Sequence, residues 1–324
     1  MMQPTYRILA DNQDITAAIR DRLLLLRLTD AAGIQSDTAE IRLDDRDHAI
    51  ALPATGASLD IALGYRESGL ASMGKYTVDE MELEGPPDVM AITAKAADMK
   101  RSMKEPRTQG WDQVQLGDVV TTVATQHDLA AVIDPDLAGI MIPHLDQTAE
   151  SDMHLLRRLA SDYGATMKIA NGRLIFMLKG AGKTASGKAL PGATITRSDV
   201  TGWRVTLADR GKYGAVTTTW QDVAGAETRA VTAGAGEPVF TIRKTYADQM
   251  AAEAAAKAKL AEFARGEAKL SLTLPGRADL FVEAPLSVTG IRPGADGDWL
   301  IERVTHTLDT SGWITRVEAS TSKK

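Results

Sequence analysis

The runs Leu59-Asp60-Ile61-Ala62-Leu63-Gly64-Tyr65-Arg66 and Gly74-Lys75-Tyr76-Thr77-Val78-Asp79-Glu80 decide how this chain is read. Both alternate in the period of two that marks a strand with one buried face, and glycine punctuates each. Outward from them the pattern continues. Ala39, Ile41 and Leu43 alternate with Thr38, Glu40 and Arg42 until the cluster Asp44-Asp45-Arg46-Asp47 breaks the run. After Gly85-Pro86-Pro87, residues Val89 to Ala94 give one more short strand. Residues 1–96 are therefore expected to form a small antiparallel β-barrel.

The same order of elements returns near the other end. Leu272-Thr273-Leu274-Pro275 leads to Leu286-Ser287-Val288-Thr289-Gly290-Ile291-Arg292, then Gly297-Asp298-Trp299-Leu300-Ile301-Glu302-Arg303, then Ile314-Thr315-Arg316-Val317. A Gly-x-Arg step followed by Gly-x-aromatic-x-apolar is common to both ends. Two similar barrel modules are expected, at 1–96 and 193–324. Three such chains present six similar modules, which lets a three-fold object dock on a six-fold one.

Between them the period changes to about 3.6, so 97–180 is expected to be a small α/β domain. Leu116, Val119, Val120, Val123 and Ala124 share one face of a helix near 115–128, and Met153, Leu156, Leu159, Ala160 and Tyr163 share one near 150–163. Gly164 stands where a left-handed cap belongs. Ala165–Ile169 and Arg173–Leu178, divided by Asn171-Gly172, read as a hairpin. The glycine-rich, aromatic-free 181–192 reads as a flexible linker. Strands resume at 203–207, 214–220, 228–231 and 239–242. A long helix at about 246–265 follows, with Thr245 and Asp248 in capping-box spacing and Gly266 at its end. Its narrow stripe of Tyr246, Met250, Leu260 and Phe263 marks a candidate subunit interface, the other reading being a helix that covers its own barrel. The fold class is thus mainly β, two barrels flanking an α+β middle.

Composition sets outer limits. The 324 residues suffice for two or three domains, with 44% hydrophobic and 25% charged residues, the balance of a folded globular protein. Lys and Arg number 37 against 43 Asp and Glu, a net charge of -6 with the signs interspersed, which does not suit gripping a phosphate backbone. With no cysteine there is no disulfide, thiolate nucleophile or Cys-ligated metal. No signal peptide or membrane span is read, since Arg27 interrupts the leucine run 23–26.

Chemical motifs are thin. His144, Asp146, Glu150, Asp152 and His154 crowd one stretch, but two precede a helix and two sit on it nearly opposite each other, so helix-start acids complementing the dipole explain them better than a metal. Gly182-Lys183-Thr184 ends like a phosphate loop, but Met177 holds the first glycine position. Asp44, Asp45 and Asp47 fit a solvated turn. With five His and no nucleophile elbow, no catalytic residue, cofactor or metal is expected, and the chain is read as not an enzyme.

The string Pro143-His144-Leu145-Asp146-Gln147-Thr148-Ala149-Glu150-Ser151-Asp152-Met153-His154-Leu155-Leu156-Arg157-Arg158-Leu159-Ala160 closely resembles the signature of the late control protein D family. So do Gln13-Asp14-Ile15-Thr16, Gly74 to Glu82, and Trp111 to Gly117. These are baseplate hubs of contractile phage tails, similar also to the hub part of type VI secretion spikes. The resemblance implies a homotrimeric ring between a hexameric tail tube and a trimeric central spike, with baseplate wedge and tape-measure proteins as further partners. DNA would at most pass through the channel without specific binding, and no membrane is involved. The protein would be made in the bacterial host cytoplasm and reside in the baseplate of a virion or tail-like particle, with no room for a fused lysozyme. Leu116 to Ala124 distantly resembles peptidoglycan-binding LysM repeats, which makes a wall-binding tail module the alternative.

Overall fold

The computed structural model describes residues 2–33, 37–96, 101–170, 172–180, 182, 189–207, 213–266 and 268–321. The first stretch holds β1 (Pro4–Ala10), β2 (Gln13–Asp14), α1 (Thr16–Ile19), β3 (Leu23–Ala31), β4 (Thr38–Asp44), β5 (Ser58–Tyr65), β6 (Gly69–Glu84) and β7 (Val89–Ala96). After a 3-10 turn at Arg101–Lys104 come β8 (Pro106–Gln115), α2 (Leu116–Gln126), β9 (Ala130–Ile133), α3 (Pro135–Ala138), β10 (Met141–Ser151), α4 (Asp152–Asp162), β11 (Ala165–Ala170) and β12 (Arg173–Leu178). The rest comprises β13 (Ala193–Thr196), β14 (Gly202–Leu207), β15 (Ala215–Asp222), β16 (Glu227–Gly234), β17 (Val239–Tyr246), α5 (Gln249–Gly266), β18 (Ala268–Pro275), β19 (Pro285–Thr289), β20 (Gly297–Asp309) and β21 (Gly312–Thr321). The fold is mainly β.

Among the described residues the largest sheet has 13 strands and carries one strand order twice. One set runs β3-β4-β7-β6-β5-β1 and the other β14-β18-β21-β20-β19-β13. Ranked by chain position within each set, both read 2-3-6-5-4-1. Corresponding neighbours are antiparallel in both sets except at one end, where β1 runs antiparallel to β5 but β13 parallel to β19. The sets are not separate sheets. β20 pairs with β3 from Arg303↔Ala31 to Asp309↔Leu25, so one ladder crosses the seam.

The register tests the repeat residue by residue. Gly74 and Gly297 both adopt positive φ, +109° and +138°, and Tyr76 and Trp299 two residues on are both buried. The Gly-x-Arg step, in contrast, is out of step. Tyr76 pairs with Leu59 and Trp299 with Leu286, which sets Gly290 against Leu63 instead of Gly64. The two glycines also answer different needs: Gly290 has φ +75°, whereas a Cβ on Gly64 would lie 1.9 Å from the carbonyl oxygen of Gly69 across the hairpin.

Side chains fill three main cores. One gathers Ile8 to Ala94 and borrows Leu308 and Trp313 across the seam; one gathers Met103 to Phe176; one gathers Ala193 to Ala319. In the second, Leu116, Val119, Val120, Val123 and Ala124 are buried on α2, and Leu155, Leu156, Leu159 and Ala160 on α4, while Met153 and Tyr163 pack at the rim. Ser151 caps α4 by accepting from the His154 amide at 3.3 Å, and Gly164 ends the turn at φ +63°. β11 and β12 form the expected antiparallel pair; Asn171 of their turn lies outside the described residues. So do residue 181 and residues 183–188 of the expected linker, among them Lys183 and Thr184.

Helix α5 begins at Gln249, three residues later than the spacing suggested, and Tyr246 instead closes β17. The capping box does not form. Asp248 accepts from the Ala251 amide at 2.9 Å and serves as the cap, while Thr245 Oγ1 lies 3.0 Å from Thr219 Oγ1 within the sheet. Ala256, with Leu260 and Phe263 at its side, packs the helix onto Val216, Ala233 and Phe240 of the β16-β15-β17 sheet.

Candidate assembly surface and buried polar sites

The four residues of the expected interface stripe take different positions. Tyr246 is buried, its hydroxyl donating to Asp162 Oδ1 at 3.2 Å, with Lys244 Nζ 4.4 Å above its ring and 2.6 Å from Asp162 Oδ2. Burial, together with the nearby Asp162 charge, pushes this phenol well above its ordinary pKa. Phe263 stacks with Tyr213 at 4.6 Å and Phe240 at 5.0 Å between ring centres, and Leu260 half-buries beside it. Only Met250 of the four is largely open, at 63% exposure.

The acid and histidine cluster splits along β10 and α4. His144 Nδ1 lies 2.5 Å from Asp112 on the paired strand and its Nε2 3.2 Å from Asp146; hydrogen bonds to these two carboxylates raise its pKa. Glu150 instead receives Arg158 through two bonds of 3.1 and 2.6 Å. His154 is out at the surface, 3.6 Å from Glu150. No group of three or more such side chains among the described residues is placed to hold a metal ion.

Asp152 turns inward and builds a site that the sequence did not reveal. Its Oδ2 lies 2.7 Å from His127 Nε2 and 3.3 Å from Arg107 Nε, and its Oδ1 accepts from Gln147 Nε2 at 2.8 Å. The other ring nitrogen of His127 meets Ser102 Oγ at 2.8 Å. Ser, His and Asp in a row suggest an acyl-transfer relay, but a catalytic base must meet substrate, and this imidazole side chain is 0% exposed. The arrangement instead ties the 3-10 turn, the residue capping α2, β8, β10 and α4 around one buried carboxylate. The partners lie 25 residues apart on either side of His127, without a local motif to betray them.

A second polar cluster joins the middle unit to the seam. Lys168 Nζ on β11 reaches Asp30 Oδ1 at 2.6 Å and Asp37 Oδ2 at 3.0 Å. Burial, then the adjacent Asp30 charge, raises the Asp37 carboxyl to about 6 despite the lysine. Nearby on β20, His306 pairs opposite Leu28 and bonds Thr315 Oγ1 at 3.0 Å; burial lowers its pKa to about 4.

These are structural sites in a β-rich chain whose long strands meet in one ladder. Residues 51–312 match the family described as phage tail baseplate hub (GPD). The chain belongs to that family. It is 36% identical to the probable baseplate hub protein of Escherichia phage P2, over 98% of this chain and 93% of the relative. The counterpart of Escherichia phage 186 matches at 36% identity over 98% and 92%. Among solved structures, the 43 kDa tail protein of prophage MuSo2 from Shewanella oneidensis superposes with a TM-score of 0.72 over 97% of both chains, at 14% identity, a likeness of fold alone. The family expected from Pro143 to Ala160 is thus the one found, and a hub of this kind is a structural component of the baseplate of a virion or tail-like particle.

Proposed function

We propose that three copies of this hub close into a ring of six β modules, joining the hexameric tail tube on one side to the trimeric central spike on the other. The observation that supports it is the strand order 2-3-6-5-4-1 occurring twice in one chain, since three copies then offer six similar edges. In this reading the modules are barrels at 1–96 and 193–324, with the α/β domain at 97–180 and the linker at 181–192 between them. Wedge and tape-measure proteins are further partners, Met250 on α5 contributes to a subunit contact, and DNA passes the channel without specific binding. Function is carried by binding area and not by a reactive group, so the protein is not an enzyme.

Light scattering or sedimentation on the purified chain tests the ring. Three times the chain mass is expected; a monomer at high concentration, or a closed assembly of another order, overturns it. Retention on purified peptidoglycan without self-association would favour the wall-binding alternative.

A further inference from the structure

The seam between the two halves of the chain specifies how the next chain attaches. In the second half, β19 pairs with β20 up to Leu300, and beyond it β3 fills the same edge from Arg303 to Asp309. In the first half, β5 pairs with β6 up to Thr77 while β7 follows the other edge through Glu84. Among the described residues no strand is paired on the β5 side of Glu80 to Glu84. β14, which holds in the second set the place of β3 in the first, has β18 on one edge and, among the described residues, no strand on the other. One half thus has an empty slot and the other an unused strand.

We propose that β14 of one copy pairs antiparallel with Glu80–Glu84 of a second copy, repeating between chains the β3–β20 seam found within the chain. This rests on the ring reading above and supplies its contact. The register follows without adjustment. A one-residue shift falls between Val78 and Glu80 in β6 and between Ile301 and Arg303 in β20, so Glu80 corresponds to Arg303. Pairing through β4 and β18 sets Leu28 in the place of Val205: Leu28 pairs with Ala39 and Val205 with Leu270, and these two meet Ala94 and Ala319. Transferring the seam pairs then puts Met81 opposite Leu207, Glu82 opposite Thr206, Leu83 opposite Val205 and Glu84 opposite Arg204.

The chemistry of those pairs fits. Met81, Leu83, Val205 and Leu207 fall on one face; the seam counterparts of the first three, Val304, His306 and Leu28, are buried, while that of Leu207 is Asp30, which Lys168 holds at the seam's rim. Leu83 and Leu207 are 57% and 66% exposed in the single chain, and the pairing would cover both. On the outer face Arg204 meets Glu84 across the strands, an opposite-charge pair. A bare strand edge is a ready template for such addition, and head-to-tail repetition closes a ring when the rotation permits.

The native chain has no cysteine, so introduced thiols report this contact alone. Leu83→Cys with Val205→Cys, and Glu82→Cys with Thr206→Cys, are made separately in the full-length chain. Neighbouring antiparallel pairs alternate between closer and wider spacing, and both spacings admit a disulfide. Mild oxidation should give a covalent trimer that reverts on reduction, and mixing the two single variants of a pair should give covalent dimers and nothing larger. Trimers by light scattering that neither pair cross-links would overturn this edge and leave the ring standing. A chain that does not associate would remove the ring reading and the contact together.

Discussion

Tyr76 and Trp299, aligned in the two halves of the chain, each donate a hydrogen bond to a backbone carbonyl three or four residues upstream. The Tyr76 hydroxyl donates to the carbonyl of Met73 at 2.9 Å, and Trp299 Nε1 to the carbonyl of Ala295 at 3.0 Å. Each ring is buried on the long strand, and each polar tip folds back on nearby backbone, at the β6 bulge for Tyr76 and in the turn before β20 for Trp299. Different chemistry performs one task, which alternation of apolar residues alone would not require. Tyr76→Phe should cost about 1 kcal/mol by leaving one carbonyl without its donor, and Trp299→Phe more, since volume is lost as well. Denaturant titration measures both; equal losses would contradict this division.

Glycine positions separate strain from crowding. At Gly297, φ is +138° and a Cβ would meet nothing within 4 Å, so Gly297→Ala should cost only backbone strain, on the order of 1–3 kcal/mol. Gly64→Ala instead drives a methyl to 1.9 Å from the Gly69 carbonyl and should be the worse change, by opening the β5–β6 hairpin. Thermal unfolding of the two variants side by side checks the order.

What could be read in the sequence was what repeats at a fixed period. The faces of Leu116 to Ala124 and of Leu156, Leu159 and Ala160 could be seen because a 3.6 period needs no distant partner, whereas the buried Leu155 was not among the expected stripe and Met153 and Tyr163 lie at its rim. β10 escaped, since its inward residues Ile142, Leu145 and Gln147 do not keep a period of two and one of them is polar. The capping box failed for a related reason: Thr245 had the right spacing, but a sheet neighbour, Thr219, claimed its hydroxyl. The fusion of the two halves at β3 and β20 depends on edges, and an edge leaves no mark in composition. For the same reason nothing in the sequence links His127 to Asp152.

The buried network around Asp152 predicts a loss of stability. Asp152→Ala strips His127, Gln147 and Arg107 of one shared acceptor and should destabilise by about 3–5 kcal/mol, as removal of one partner from a buried charged network does. Ser102→Ala removes only the outermost member, half-buried, and should cost about 1 kcal/mol or less. Comparable losses from both would mean that Ser102 holds more of the network than its place suggests, and unfolding midpoints decide.

The seam also carries two acid-sensitive groups of opposite sign. His306 binds its proton near pH 6.5 when unfolded but only near 4 when folded, because burial opposes the charge. Its contribution is therefore full above about 6.5 and lost as pH falls toward 4, on the order of 3 kcal/mol in all. Asp37 works the other way. Raised from 3.8 to about 6 beside Asp30 and Lys168, it adds stability that is complete below about 4 and lost as pH rises through 6. Between pH 4 and 6 the two slopes oppose each other, and these two contributions largely cancel. His306→Asn should leave a protein that grows more stable as pH falls across that window, and Asp37→Asn one that grows less stable. Urea midpoints at intervals of pH measure this; variants with the same slope as the parent would show that neither group titrates as its surroundings dictate.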